Sequence, residues 1–167
     1  MLVVIGGIEL SLTGLVAFLP LLASNLIMNV WEEIGWRGYA LPTLQRKYSA
    51  LTSAVIVGAM WSLWHWPHFT VNNSPMMANY GNYLNFIALT IIDSIIHAWI
   101  YNSSKGSLIA ATTYHASTNA ANIAIFLENG LGSTVIPYYA VVLGIAALLI
   151  TYVYKPRNLC REERYTI

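Results

Sequence analysis

The stretch Asn29-Val-Trp-Glu-Glu-Ile-Gly-Trp-Arg-Gly-Tyr-Ala-Leu-Pro42 places Glu32, Glu33 and Arg37 inside an otherwise apolar segment. An ionisable side chain at membrane depth costs about 2.5–3.5 kcal/mol on insertion scales, so such groups face a bundle interior and mark a functional path. On a helix, Glu33 and Arg37 stand at i and i+4, one above the other, and pair. Glu32 is rotated by about 100° from Glu33 and points elsewhere. Glu33 and Arg37 are thus read as a structural pair, and Glu32 as the candidate for chemistry.

The rest of the chain makes that setting a membrane. Of 167 residues, 57% are hydrophobic and 9% charged, whereas soluble proteins average about a quarter charged. The length predicts one domain, spanning 1–167. A net charge of +1, with no basic run interleaved with aromatics, gives no reason to expect a nucleic-acid partner. The single cysteine, Cys160, rules out a disulfide within the chain and offers no Cys-based metal site. Residues Met1 to Leu22 lack a basic first region and carry Glu9, so they read as a mature span, or as the remainder of a longer N-terminal region, rather than a secretory signal.

Spans of roughly 20 apolar residues predict an all-α, polytopic transmembrane bundle of about six helices. Their expected limits are 2–23, 25–44, 51–69, 83–102, 107–127 and 135–154. The turn-rich segment from Thr70 to Asn82 reads as a loop, and 155–167 as a polar cytoplasmic tail. Arg46 and Lys47 follow the second span, Lys105 the fourth, and Lys155, Arg157, Arg161 and Arg164 the sixth. All fall on one side, which predicts that this side, with both termini, is cytoplasmic. A short chain with no targeting signal favours a multi-pass protein of a prokaryotic plasma membrane. No internal repeat is visible, which counts against a transporter built from inverted halves.

Six further polar positions sit in apolar spans. His65 ends Trp61-Ser-Leu-Trp-His-Trp-Pro-His68, where Pro67 marks a breaking helix; the tryptophans read as packing and interface residues. Asp93 and His97 stand at i and i+4 and satisfy each other, or form a second functional pair. His115 and Asn119 share a helix face, with Asn122 three residues on, and offer hydrogen bonds to a developing oxyanion; the alternative is polar glue between helices. Glu32, His65, His115 and Asn119 come from three spans, and a wet cavity where they converge explains all of them. A carboxylate base, an imidazole and two oxyanion partners suit peptide hydrolysis by an activated water. No His is followed by Glu, so the H-E-x-x-H zinc motif is absent, and no serine stands in a G-x-S-x-G setting. A divalent metal such as zinc, held by Glu32, His65 and His115, and a metal-free glutamate-activated water are both consistent with this inventory.

Glu-Glu-x-x-x-Arg at 32–37, aromatic-x-x-x-His at 61–65 and His-x-x-x-Asn at 115–119 resemble the CAAX protease and bacteriocin-processing family, also called the Abi family. The stretch from Tyr101 to His115 also looks like that family's approach to its last motif, so the resemblance covers about residues 25–125. It implies an intramembrane endopeptidase, of a family whose members are named metalloproteases although a metal-free water has also been proposed for them. The best understood members remove the last three residues of prenylated CAAX proteins. Carried over, Glu32 is the water-activating glutamate, His65 its partner, and His115 with Asn119 the oxyanion pair; Glu33 and Arg37 are supporting positions. The implied partners are the lipid bilayer and a membrane-associated peptide or protein. Two departures are evident: the second motif more usually begins with Phe than with Trp, and larger members carry more spans before the first motif. The topology also puts Glu32 and His65 nearer the side without basic loops, whereas CAAX-type cleavage is expected near the cytosol. Two other functions remain in view, a proton-coupled transporter using Glu32, Asp93 and the histidines, and a non-enzymatic bacteriocin-immunity or scaffold protein.

Overall fold

The protein is described from a computed structural model covering residues 3–5, 8–10, 12–129 and 132–167, with side chains described for 14, 16–124 and 136–167. The side chains of Glu9 and Glu128 lie outside the described residues. Two short antiparallel strands, β1 (Val3–Ile5) and β2 (Ile8–Leu10), precede helices α1 (Leu12–Gly35), α2 (Leu41–Gln45), α3 (Ala50–Trp64), α4 (Pro75–Tyr80), α5 (Tyr83–Ser103), α6 (Leu108–Asn129) and α7 (Gly132–Asn158). A single π-helical turn, Trp36–Ala40, joins α1 to α2 without a break.

The six-span expectation is corrected at its start. The break between 23 and 25 does not exist: Ser24 Oγ and Asn25 Nδ2 both donate to the Leu21 carbonyl, at 2.9 and 2.8 Å, and their polar groups stay within the helix. Leu12 to Gln45 is therefore one helical rod of about 50 Å at 1.5 Å per residue, and Leu12 lies at the end opposite Arg46 and Lys47. The expectation that both termini share one side rested on a helix break in this region, and the helix has none there. The later basic residues still gather with Arg46 and Lys47, at the end where α5 and α7 finish and α6 begins.

Two helices, α5 and the Ile136–Asn158 part of α7, are long and apolar enough to cross a membrane. α3, with 15 residues, rises only about 22 Å, less than a hydrocarbon core of about 30 Å. It therefore ends, at His65, short of the rise a spanning helix needs. A 3₁₀ turn, Trp66–Phe69, and the short helix α4 then carry the chain to α5.

Helix starts follow local chemistry: Ser49 and Asn82 side chains cap α3 and α5 by accepting from Thr52 and Asn85 backbone N–H at 3.1 and 2.9 Å. α1 packs chiefly on α6, and α3 on α5, which also meets α7. Small residues let the backbones approach, with Ala50, Ala54, Ala98, Ala111, Ala116 and Ala120 all fully buried. Gly58 sets the α3–α5 spacing, since a Cβ there would lie 2.7 Å from Ile91 Cα. The 155–167 segment is held to the bundle: Gln45 and Asn102 exchange amide hydrogen bonds (3.1 and 2.7 Å), and Gln45 Nε2 also donates to the Tyr165 carbonyl at 2.6 Å.

Gly58→Val is expected to force α5 off α3 and destabilise the protein by about 1–3 kcal/mol. A thermal melt in detergent, showing a lower midpoint than Val57→Ile at the neighbouring core position, checks this.

Candidate active site

The site is built from the turn at which α1 changes its winding. Pro42 has no N–H to give to the carbonyl four residues back, and in the π turn the Leu41 N–H reaches Trp36 O instead. Glu33, just before that turn, and Arg37, within it, are both fully buried and joined by a 2.9 Å bond from Arg37 Nη1 to Glu33 Oε1. The same oxygen accepts from His115 Nδ1 of α6 at 2.8 Å, so the pair ties α1 to α6 as well as to the π turn. The Arg37 guanidinium also lies over the Trp61 ring, 4.7 Å from its centroid.

Glu32 faces away from this knot, into a cavity of about 130 Å³. Its Oε2 accepts from Trp61 Nε1 at 2.8 Å, and among the described residues its Oε1 has no hydrogen-bond partner. His65, His115 and Asn119 line the same cavity, together with Asp93, Thr90, Thr118 and Asn122. The four sequence candidates are therefore brought to one space. His68, in the exposed 3₁₀ turn, does not line it.

Hydrogen bonds assign the two imidazoles. His65 Nδ1 lies 3.0 Å from the Trp61 carbonyl, which can only accept, so Nδ1 carries the proton and Nε2 of the neutral ring offers a lone pair. His115 Nδ1 donates to the Glu33 carboxylate, so its Nε2 is a lone pair in the neutral ring and an N–H donor in the imidazolium.

Two findings go beyond the sequence reading. Trp61, taken as an aromatic wall, is the hydrogen-bond donor to Glu32; a buried indole N–H needs an acceptor, which was the available signal. Asp93 does more than satisfy His97. It lines the cavity, and its Oδ1 accepts from Tyr114 O–H at 2.7 Å while Oδ2 stands 3.2 Å from His97 Nδ1.

The acids and imidazoles that lie nearest one another are not the conditional metal set named from the sequence. Among the described residues, the acid–imidazole group whose ligand atoms fall within 4.8 Å of one another is Glu33, His97 and His115; Glu32 with His65 and His115 does not form such a group. Glu33 Oε2 and His97 Nε2 have no hydrogen-bond partner there. A divalent cation still fits poorly, because Arg37 occupies Glu33 Oε1 with a positive charge and His115 presents a protonated nitrogen to the same oxygen.

The family model described as "Type II CAAX prenyl endopeptidase Rce1-like" matches residues 14–121. The chain belongs to this family. Members of the Rce1-like family are integral membrane proteins, in keeping with the two long apolar helices. The chain is 36% identical over 106 residues to the protein named CAAX prenyl protease 2 of Methanococcus maripaludis, covering 61% of this chain and 39% of that protein. It is 25% identical over 168 residues to the protein named Lysostaphin resistance protein A of Staphylococcus haemolyticus, covering 93% of this chain and 44% of that one. The chain thus spans about two fifths of the length of these curated relatives.

Arg37→Met removes the charge that answers a buried carboxylate, and is expected to cost about 3–5 kcal/mol. A drop in melting midpoint in detergent much larger than that of the exposed Arg46→Met checks it.

Proposed function

We propose that this chain is an intramembrane endopeptidase that hydrolyses a peptide bond of a membrane-associated protein or peptide through a water activated by Glu32. The observation that carries the reading is the state of Glu32: one oxygen is anchored by Trp61, the other has no partner among the described residues, and the side chain lines a cavity shared with two imidazoles and an amide. Membership of the Rce1-like family supports peptide hydrolysis, and the name of the Methanococcus relative supports a prenylated CAAX-type C-terminus as the first substrate to offer.

In this mechanism Glu32 Oε1 takes a proton from water as the water oxygen bonds to the scissile carbonyl carbon. His65 Nε2 accepts a hydrogen bond from the water's other O–H, which stays bonded to the oxygen, and so fixes its orientation. Negative charge then collects on the carbonyl oxygen, where the Asn119 amide donates to it, joined by His115 Nε2 when that nitrogen carries a proton; one such donor is worth about 10²–10³ in rate. Collapse breaks the C–N bond, and the proton held by Glu32 passes to the leaving amine. These steps need no metal, since Glu32 itself takes the proton from water. The basic end of the bundle is assigned to the cytoplasm of a prokaryotic cell, and His65, where α3 stops, lies away from that end.

The test is cleavage of a quenched peptide library, half of it lipidated near the C-terminus, by purified protein in detergent. Wild type is expected to cut with or without a chelator, and Glu32→Ala to lose at least about 10³-fold in rate while keeping its melting midpoint. Cleavage by Glu32→Ala at the wild-type rate overturns the mechanism, and absence of cleavage by wild type alongside an active relative returns the immunity reading.

A further inference from the structure

Trp61 sits where every element of the site meets. It is 6% exposed, and its ring makes edge contacts with His115 at 5.0 Å, His97 at 5.6 Å and His65 at 6.2 Å between centroids. Arg37 covers its face, and its one polar atom is spent on Glu32 Oε2. A carboxylate offers two oxygens in a plane, so fixing one by a directional donor fixes where the other points. Glu32 would otherwise be free to rotate about its three side-chain torsions, and no other hydrogen bond from a described residue restrains it.

The indole is itself held from behind. His97 is fully buried, and its Nδ1 lies 3.0 Å from the Asp93 carbonyl and 3.2 Å from Asp93 Oδ2, so the ring is pinned at one edge. The pinned ring stands edge-on to both Trp61 and His115, the two rings that set the directions of Glu32 and of the oxyanion donor. Tyr114, adjacent to His115 on α6, fixes Asp93 in turn. A continuous set of contacts therefore runs from Tyr114 through Asp93, His97 and Trp61 to Glu32.

We infer that Trp61 is the positioning residue for Glu32, aiming its free oxygen at the water site through the indole N–H, and that the Asp93–His97 pair holds Trp61 in that place. The inference rests on the peptidase reading for its consequence in rate, but not for the hydrogen bond itself. Trp61→Phe keeps one aromatic ring against Arg37 and the three imidazoles and removes the donor together with part of the indole's volume. It leaves Glu32 present but loosely aimed, which lowers the rate of the bond-breaking step and leaves substrate binding alone.

Two measurements test this on the full chain in detergent. In the first, ¹⁵N-labelled protein gives an indole N–H signal for Trp61, assigned as the one missing from Trp61→Phe. That signal is expected to move in Glu32→Gln and in Asp93→Asn, while the signal of the exposed Trp66 stays in place. No movement in Glu32→Gln overturns the inference; movement in Glu32→Gln but not in Asp93→Asn overturns the part given to Asp93 and His97. In the second, Trp61→Phe is expected to lower kcat by about ten- to a hundredfold, with KM and melting midpoint kept within about twofold and a few degrees of wild type. An unchanged kcat, or a raised KM in its place, overturns the inference. If wild type shows no Glu32-dependent cleavage, the peptidase reading fails on its own, and the indole signal still decides whether Trp61 fixes Glu32.

Discussion

The Glu33 carboxylate is the constraint around which the other parts are arranged. An ion this deeply buried is stable only with compensating charge and hydrogen bonds, and Arg37 and His115 supply both at a single oxygen. Meeting that demand joins α1, the π turn and α6, and brings Trp61 of α3 beneath the Arg37 guanidinium. Because its neighbour in sequence is so fully engaged, Glu32 must face the other way, towards the cavity. Two adjacent glutamates are thus separated into an ion-pair partner and a reactive group by the geometry of one helix.

The cavity follows from a second constraint, the shortness of α3. A helix that ends early leaves space that the Trp66–Tyr80 segment fills only in part, and Met76 and Tyr80 of that segment line the result. Polar groups from α1, α3, α5 and α6 can share this space because water can reach it. The polar inventory that is expensive in lipid is therefore confined to one region, while the outward faces of α7 expose Val141, Leu148, Leu149 and Val153.

Much of the site was legible in the sequence because its parts are set by helical periodicity. The i, i+4 spacing of Glu33 with Arg37 foretold their bond, and that of His115 with Asn119 foretold a shared face on the cavity. The helical bundle was legible from the apolar spans, but the first boundary was not. Ser24 and Asn25 look like a turn in sequence, yet they bond back to Leu21 and the helix runs on. The closeness of Glu33, His97 and His115 was not legible for a related reason: spacing along a helix says which side chains share a face, but not which atoms of different helices come within ligand distance. Trp61 as donor and Asp93 as cavity residue are likewise contacts between helices, and no local pattern encodes them.

The division of labour between the two glutamates is the central claim, and a matched pair of isosteric changes tests it most directly. Cleavage and melting are measured side by side for Glu32→Gln and Glu33→Gln in the same detergent. The account predicts that Glu32→Gln melts as wild type does and cuts nothing, while Glu33→Gln melts well below wild type. A Glu33→Gln protein that keeps wild-type stability, or a Glu32→Gln protein that still cuts, would contradict it.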